Sequence, residues 1–479
     1  MNDLAWCYQN GQGTHHSRLG PPKWPSTGPD HNLGLGGGHE PGVTKDMAAA
    51  VALLSRRDNV KLAFDAVVGQ RPTISPPRNE LIPTVNIAKP IGWQGNARPV
   101  AAAGLTVSEY AGDLDHPRWM TLLPNGDVLV AETNSPPRKG GGVTGFVMNL
   151  LLGRAGAAVP SANRITLLRD ADGDGRPEAR SVLLTGLNSP FGMALVGDRL
   201  FIGNTDAIVA YPFKVGQTKI TAKPQKIASL PGGGNHWSRN LIPAPDGKSL
   251  FVAVGSASNI GEKGLELETH RANILQVDIA SGRYNIFASG LRNPVGLAYE
   301  PKTGALWTVV NERDMMGGDL SPDYLTRVEF AAFYGWPHTY WGGYLDRRVQ
   351  PERPDLQEYA KRPDYALGAH VAALGLAFAT DAKLGPRFAN GAFVGEHGSW
   401  NRKPPSGYKV VYVPFGDNGY PVKDVKPVDL LTGFLDAKGR AQGRPVGVIV
   451  DRTGALLVAD DVGDRIWRVS AAEAQAPAK

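Results

Sequence analysis

Two short stretches hold the residue types best suited to moving protons and charge: Gly234-Asn235-His236-Trp237-Ser238-Arg239 and Gly290-Leu291-Arg292-Asn293-Pro294-Val295-Gly296. Histidine accepts a proton near neutral pH, and His236 sits in a glycine-flanked tract where a backbone lets a ligand come close. Taken alone, His236 reads more readily as a structural histidine. The second stretch shifts the balance, because Arg292 adds a fixed cation and Asn293 an amide at an equivalent place. A base beside a cation suits removal of a hydroxyl proton while negative charge develops nearby.

Both stretches open the same unit: a polar signature, an apolar strand, a Pro/Asp/Gly turn and a second apolar strand. The unit recurs six times, led by His116-Pro117-Arg118, Asn188-Ser189-Pro190, Asn235-His236, Arg292-Asn293-Pro294, the stretch from Ala373, and Arg444-Pro445. Short strands with Gly-rich turns at this spacing fit propeller blades and no helical repeat. The expected fold is therefore all-β: a six-bladed β-propeller over residues 105–470, with a mostly irregular N-terminal extension (1–104) and a short tail (471–479). In a propeller the residues leading into equivalent strands converge at one end of the central channel, so the signatures become one constellation.

The extension is polar and turn-rich, with His15-His16, Pro21-Pro22 and Gly34-Leu35-Gly36-Gly37-Gly38. It is expected to be partly disordered, without an evident core ahead of Pro72. The glycine cluster lacks the last glycine and the preceding strand of a dinucleotide fingerprint. The apolar run Met47 to Leu54 lacks an upstream basic region and is a poor signal peptide; a short surface helix fits it better. The one cysteine, Cys7, permits no intrachain disulfide. Lys+Arg of 51 against Asp+Glu of 45 gives a net +6 without a dense basic run, which excludes an evident nucleic-acid track and suits a small polyanion or an anionic membrane surface. The apolar stretch 145–156 is weighed as a peripheral membrane contact against a loop-helix packed on the propeller. Asp170, Asp172 and Asp174, alternating with glycines, form either a structural calcium site or a plain acidic turn.

The tracts around His236 and Arg292, the following Asn311-Glu312-Arg313-Asp314 and Tyr334-Gly335-Trp336-Pro337 occur in the order found in soluble quinoprotein sugar dehydrogenases that carry pyrroloquinoline quinone (PQQ). About three quarters of the chain resembles that family, and the stretches from His116 to Asn134, Pro160 to Gly175 and Phe393 to Arg402 look closest to its L-sorbosone dehydrogenase branch. The resemblance implies that His236 takes the proton of the sugar's C1 hydroxyl as hydride passes to the quinone. It implies that Arg292 contacts the reactive quinone oxygens, with Asn293 beside it. It places Arg313 and Arg444 among the cofactor ligands, with His397 or Arg402 where other members carry a lysine. Trp400 either stacks on the flat cofactor or packs between blades. The backbone carbonyls of Asp314 and Met315 are expected to hold the calcium ion that accompanies the quinone. Ser256 stands where the glucose enzymes have the aspartate that orients the histidine, and Val295 where they have glutamine.

The expectation is thus a PQQ- and Ca²⁺-dependent enzyme acting on an aldose or sugar aldehyde, best as L-sorbosone to 2-keto-L-gulonate. It would be periplasmic, peripheral to the inner membrane, and would pass electrons to a quinone or cytochrome. A metal-dependent sugar lactonase should show Glu and Asp at several strand entrances, whereas His, Arg and Asn dominate here. A non-catalytic binding propeller remains the third reading. The insertion from Asp319 to Asp364, rich in Tyr, Trp and Arg, is expected to cover the channel mouth.

Overall fold

The computed structural model describes residues 59–78, 84–137 and 159–472. Expectations about the first residues and about 145–156 lie outside these. Six antiparallel sheets follow one another along the chain, as the repeats require. Blades I to V begin with Pro117–Leu122, Met193–Val196, Leu241–Pro243, Pro294–Tyr299 and Ala373–Phe378, and each adds three later strands outward; blade IV skips the separate hairpin of Thr339–Tyr340 and Tyr344–Leu345, and blade V gains Val100–Ala101 as a fifth strand. Blade VI takes Pro445–Val450, Leu456–Asp460 and Arg465–Ala471 from the C-terminal end, and its outer strand, Leu105–Ala111, from the other end of the propeller. Leu105 pairs with Ala471 there, so the ring is closed by backbone hydrogen bonds between the two ends of the fold.

The innermost strands pack on one another around the axis. Gly192, Gly296, Gly375 and Gly447 occupy the equivalent position in four of them. A Cβ on Gly296 would lie 2.6 Å from Leu376 Cβ, and one on Gly447 2.8 Å from the Arg118 carbonyl. Only glycine admits this approach of one strand to the next. The pairing of first and second strands slips at nearby points, between Pro117 and Trp119, Pro294 and Leu297, Ala373 and Gly375, and Pro445 and Val448. Such bulges re-aim side chains at the strand entrance.

The extension departs from expectation. Residues 59–78 and 84–104 contain little regular structure but are packed against the propeller: Val67 and Val68 are buried, and Gly69 pairs with Ala366. Asn59 bonds Asn401 O, Lys403 and Gly318, and Asn86 bonds Trp400 and Arg402 O. Trp93 wedges against Trp467 and Phe434 and donates to Asp460 at 2.7 Å. This strap has little periodicity because most of its ties are single side chains on backbone or isolated bridges, and only Val100–Ala101 pairs into a sheet, beside Val428–Thr432. Trp93→Ala is expected to cost about 3–5 kcal/mol by leaving a cavity in a buried aromatic cluster. An unchanged melting temperature would show that the strap contributes nothing to the fold.

Candidate active site

Because the strands are antiparallel, each blade's second strand ends beside the start of its first. Strand-entrance and strand-exit residues therefore share one end of the propeller. In blade III the imidazole Nδ1 of His236 lies 2.8 Å from the Ser256 carbonyl and 3.1 Å from its hydroxyl. A carbonyl only accepts, so Nδ1 carries the proton and Nε2 is the basic nitrogen. Ser256 thus orients the imidazole through its backbone, without the charge of an aspartate. Gly255 lets blades III and IV meet: a Cβ there would press on Asn293 Oδ1 and come within 2.6 Å of His236 Cβ. The preceding loop is held by two buried arginines. Arg239 and Arg271 both donate to Pro231 O, and Arg271 also to Gly232 O and Gly233 O.

Arg292 is buried and splayed over the exit of blade IV. It donates to Glu312 O (2.6 Å) and Asn259 Oδ1 (2.9 Å), and pairs with Asp314 at 3.4 Å. Asp314 also meets His370 (3.3 Å) and Asn401 Nδ2 (2.9 Å). Burial pushes the Asp314 carboxyl up, but His370 and Arg292 outweigh it and hold it at about 2. Asn293 is buried with Oδ1 lacking a partner.

A second charged group spans blades I, V and VI. Asp461 Oδ2 accepts from Arg118 (2.6 Å) and His397 (2.9 Å), with His116 at 3.5 Å. Burial drives the His397 imidazole down to about 4 despite that carboxylate. Arg444 lies over the Tyr408 ring at 5.2 Å and, among the described residues, makes no ion pair. Arg118 and Arg444 each leave a buried Nε without an acceptor. The two groups face each other, because Arg118 also lies 5.6 Å from the Trp237 ring, next to His236.

The structure thus brings His236, Arg292, Asn293, Asp314, His397 and Arg444 to one end of the propeller. Arg313 goes elsewhere. It has no exposed surface, and its guanidinium is spent on Glu312, Asp346, Pro337 O and Thr339 O, so it staples the insertion to blade IV. Arg402 is likewise turned to backbone, donating to Gly318 O at 2.8 Å and to Pro404 O. Trp400 is half-buried, its carbonyl tied to Asn86. Asp170, Asp172, Asp174 and Glu178 gather their carboxylates within 4.8 Å of one another, at the opposite end of blade I. Asp461, His370 and Asn259 belong to the site although strand entrances alone did not reveal them, and Arg118 joins them from the first entrance.

A flat tricarboxylate fits this end. Two guanidinium Nε–H groups await acceptors, which carboxylates supply, and unspent buried polar groups cost about 1–3 kcal/mol each. Calcium at Asp314 and Met315 does not fit as these residues stand. Both carbonyls already accept from Arg348, at 3.0 and 3.1 Å.

The family described as TrAA12-like matches residues 99–323 and 354–472. An uncharacterised protein of Borreliella burgdorferi is 28% identical over 296 residues, covering 59% of this chain and 76% of that one. A pyrroloquinoline quinone-dependent pyranose dehydrogenase of Coprinopsis cinerea is 25% identical over 427 residues; the match covers 76% of this chain and 54%, about half, of the relative. The calcium structure of a Trichoderma reesei carbohydrate-active enzyme of family AA12 superposes with a TM-score of 0.65 at 20% identity, covering 80% of this chain and 99% of the other.

Glu396, the last residue of its strand, is fully buried with neither carboxylate oxygen partnered. Burial pushes it from 4.5 to about 8. A raised carboxyl favours the folded chain below the unfolded value, and that contribution is lost as pH rises towards 8. Glu396→Gln is therefore expected to stabilise the protein more at pH 8 than at pH 5, by roughly a few kcal/mol at about 1.4 kcal/mol per tenfold change in proton affinity. Equal losses at both pH values would contradict this.

Proposed function

The chain belongs to the TrAA12-like family, and on that premise we propose that it is a quinoprotein sugar dehydrogenase. Its substrate would be an aldose or sugar aldehyde oxidised at C1. The observation that carries this is the meeting, at one end of the propeller, of a histidine with an assigned tautomer and two guanidinium groups with unspent N–H bonds. The pyranose dehydrogenase of Coprinopsis cinerea supports PQQ as the cofactor.

Arg118, Arg444, Arg292 and Asn293 are the residues that would hold the quinone. When bound, it would supply the acceptor for a hydride, and so for the two electrons of the oxidation. His236 Nε2 takes the hydroxyl proton, and the Ser256 carbonyl keeps the ring aimed as the imidazole becomes charged. Arg292, fixed by five donor contacts, gives the reacting end a cation that need not move as negative charge develops. An aldehyde enters as its hydrate, which presents the same C1 hydroxyl and hydride. L-Sorbosone, giving 2-keto-L-gulonate, is the substrate favoured by the sequence resemblance, and a quinone or cytochrome the onward acceptor.

The lactonase reading loses ground here. Among the described residues, Asp461 and Asp314 at this end are paired with Arg and His rather than gathered into a metal cage, and the one acidic quartet lies at the other end. That quartet is proposed as a structural calcium site. Gly173 and Gly175, at φ 79° and 87°, turn the loop so that four carboxylates face one point.

Reconstituted with quinone and given aldoses, the wild-type protein is expected to reduce a dye acceptor. His236→Ala should lose about 10²–10⁴ in turnover while binding quinone normally; near-normal turnover would remove the base from the mechanism. Chelation is expected to lower the melting temperature of the wild type and to leave that of Asp172→Asn unchanged. Equal responses would dismiss the calcium site.

A further inference from the structure

Arg348 sits where the resemblance places a metal ion. Its NH1 donates to Asp314 O (3.0 Å) and Met315 O (3.1 Å). The opposite edge of the guanidinium is clamped by Asp346: Nε to Oδ1 at 2.8 Å and NH2 to Oδ2 at 2.6 Å. Asp346 is itself fixed, since Oδ2 also accepts from buried Arg313 at 3.2 Å and its backbone N–H bonds His338 O. The guanidinium is thus held on both edges, and the Arg348 side chain is only 21% exposed. A flexible lysine-like cation would yield to a metal far more readily than this doubly held planar fork.

The family match breaks between residues 323 and 354, and Tyr340, Asp346 and Arg348 all lie in the break. The inserted segment is stapled to the exit of blade IV by Arg313 through Pro337 O and Thr339 O. Met315, one of the two residues whose carbonyls it grips, adopts a left-handed backbone (φ 68°), a conformation that persists only where its surroundings hold it. A divalent ion at the same two oxygens would have to break both NH1 bonds and sit against the guanidinium, with Arg292 on the other side of Asp314.

Resting on the quinoprotein reading, we propose that Arg348 supplies from within the protein the positive charge that a calcium ion would bring to Asp314 and Met315. Quinone binding by this chain then needs no divalent cation at that point. The insertion acts as a built-in counter-ion for an anionic cofactor edge, and Arg348 is a cofactor-binding residue.

The test is a titration of PQQ into metal-stripped full-length protein, followed by tryptophan quenching, with EGTA or with calcium, at a temperature where circular dichroism shows the stripped protein folded. Wild-type Kd is expected to differ by less than about threefold between the two conditions, under 1 kcal/mol. Arg348→Gln should bind at least about tenfold more weakly in EGTA, recover with calcium, and retain one more calcium per chain than wild type after gel filtration. If that variant does not fold, the wild-type comparison alone decides. Wild-type binding that collapses in EGTA and returns with calcium overturns the proposal and leaves the quinoprotein reading standing. Absence of quinone binding in both conditions overturns both.

Discussion

The architecture depends on how closely the six inner strands approach at the axis. Where Gly296 and Gly375 pass their neighbours, a single Cβ would collide with the next strand, so blades can crowd until their entrances share one small space. The bulges at the same level turn residues such as Arg118 and Arg444 out of the ladder. Closure by Leu105–Ala111 then removes the open edge that would let the ring relax. Side chains separated by more than 300 residues, Arg118 and Asp461, meet at 2.6 Å as a consequence.

Crowding charged groups in a poorly hydrated space is costly, and the pattern of compensation separates scaffold from site. Arg271, Arg313 and Arg402 spend their donors on carbonyls or buried carboxylates, as Arg239 does apart from a buried Nε, and the loops they fix are those before His236 and after Asp314. Arg118, Arg444 and Asn293 keep buried polar atoms unspent. Asn293 Oδ1 asks for a donor; at about 1–3 kcal/mol for each unsatisfied group, a ligand whose oxygens answer both Nε–H groups gains a few kcal/mol before any other contact is made. A planar polyanion is the chemical class that does so.

Much of this was legible in the sequence, and the limits have physical causes. The unit of polar signature, strand, turn and strand recurs because each blade repeats the same hairpin at the axis, so blade number and entrance residues such as His236, Arg292 and Arg444 could be read from it. Strand exits could have been read as well: Glu312, His397 and Asp461 all follow a second strand, and antiparallel pairing sets each beside an entrance. Arg313 and Arg402 were misjudged because neighbours on an irregular loop face opposite ways, and nothing in spacing tells which way. The strap from Asn59 to Trp93 was missed because its contacts are single side chains on backbone, which leave no period. Arg348 lies in an insertion whose packing depends on Arg313, a tertiary relation with no local signal.

The central claim is that His236, the two unspent guanidiniums and Arg292 form a quinone-dependent oxidation site. Rapid mixing of the quinone-loaded protein with L-sorbosone and a panel of aldoses, following the cofactor's absorbance, tests it most directly. The account predicts bleaching to the reduced cofactor with at least one sugar. A protein that binds the quinone yet leaves its spectrum unchanged with every sugar would contradict it.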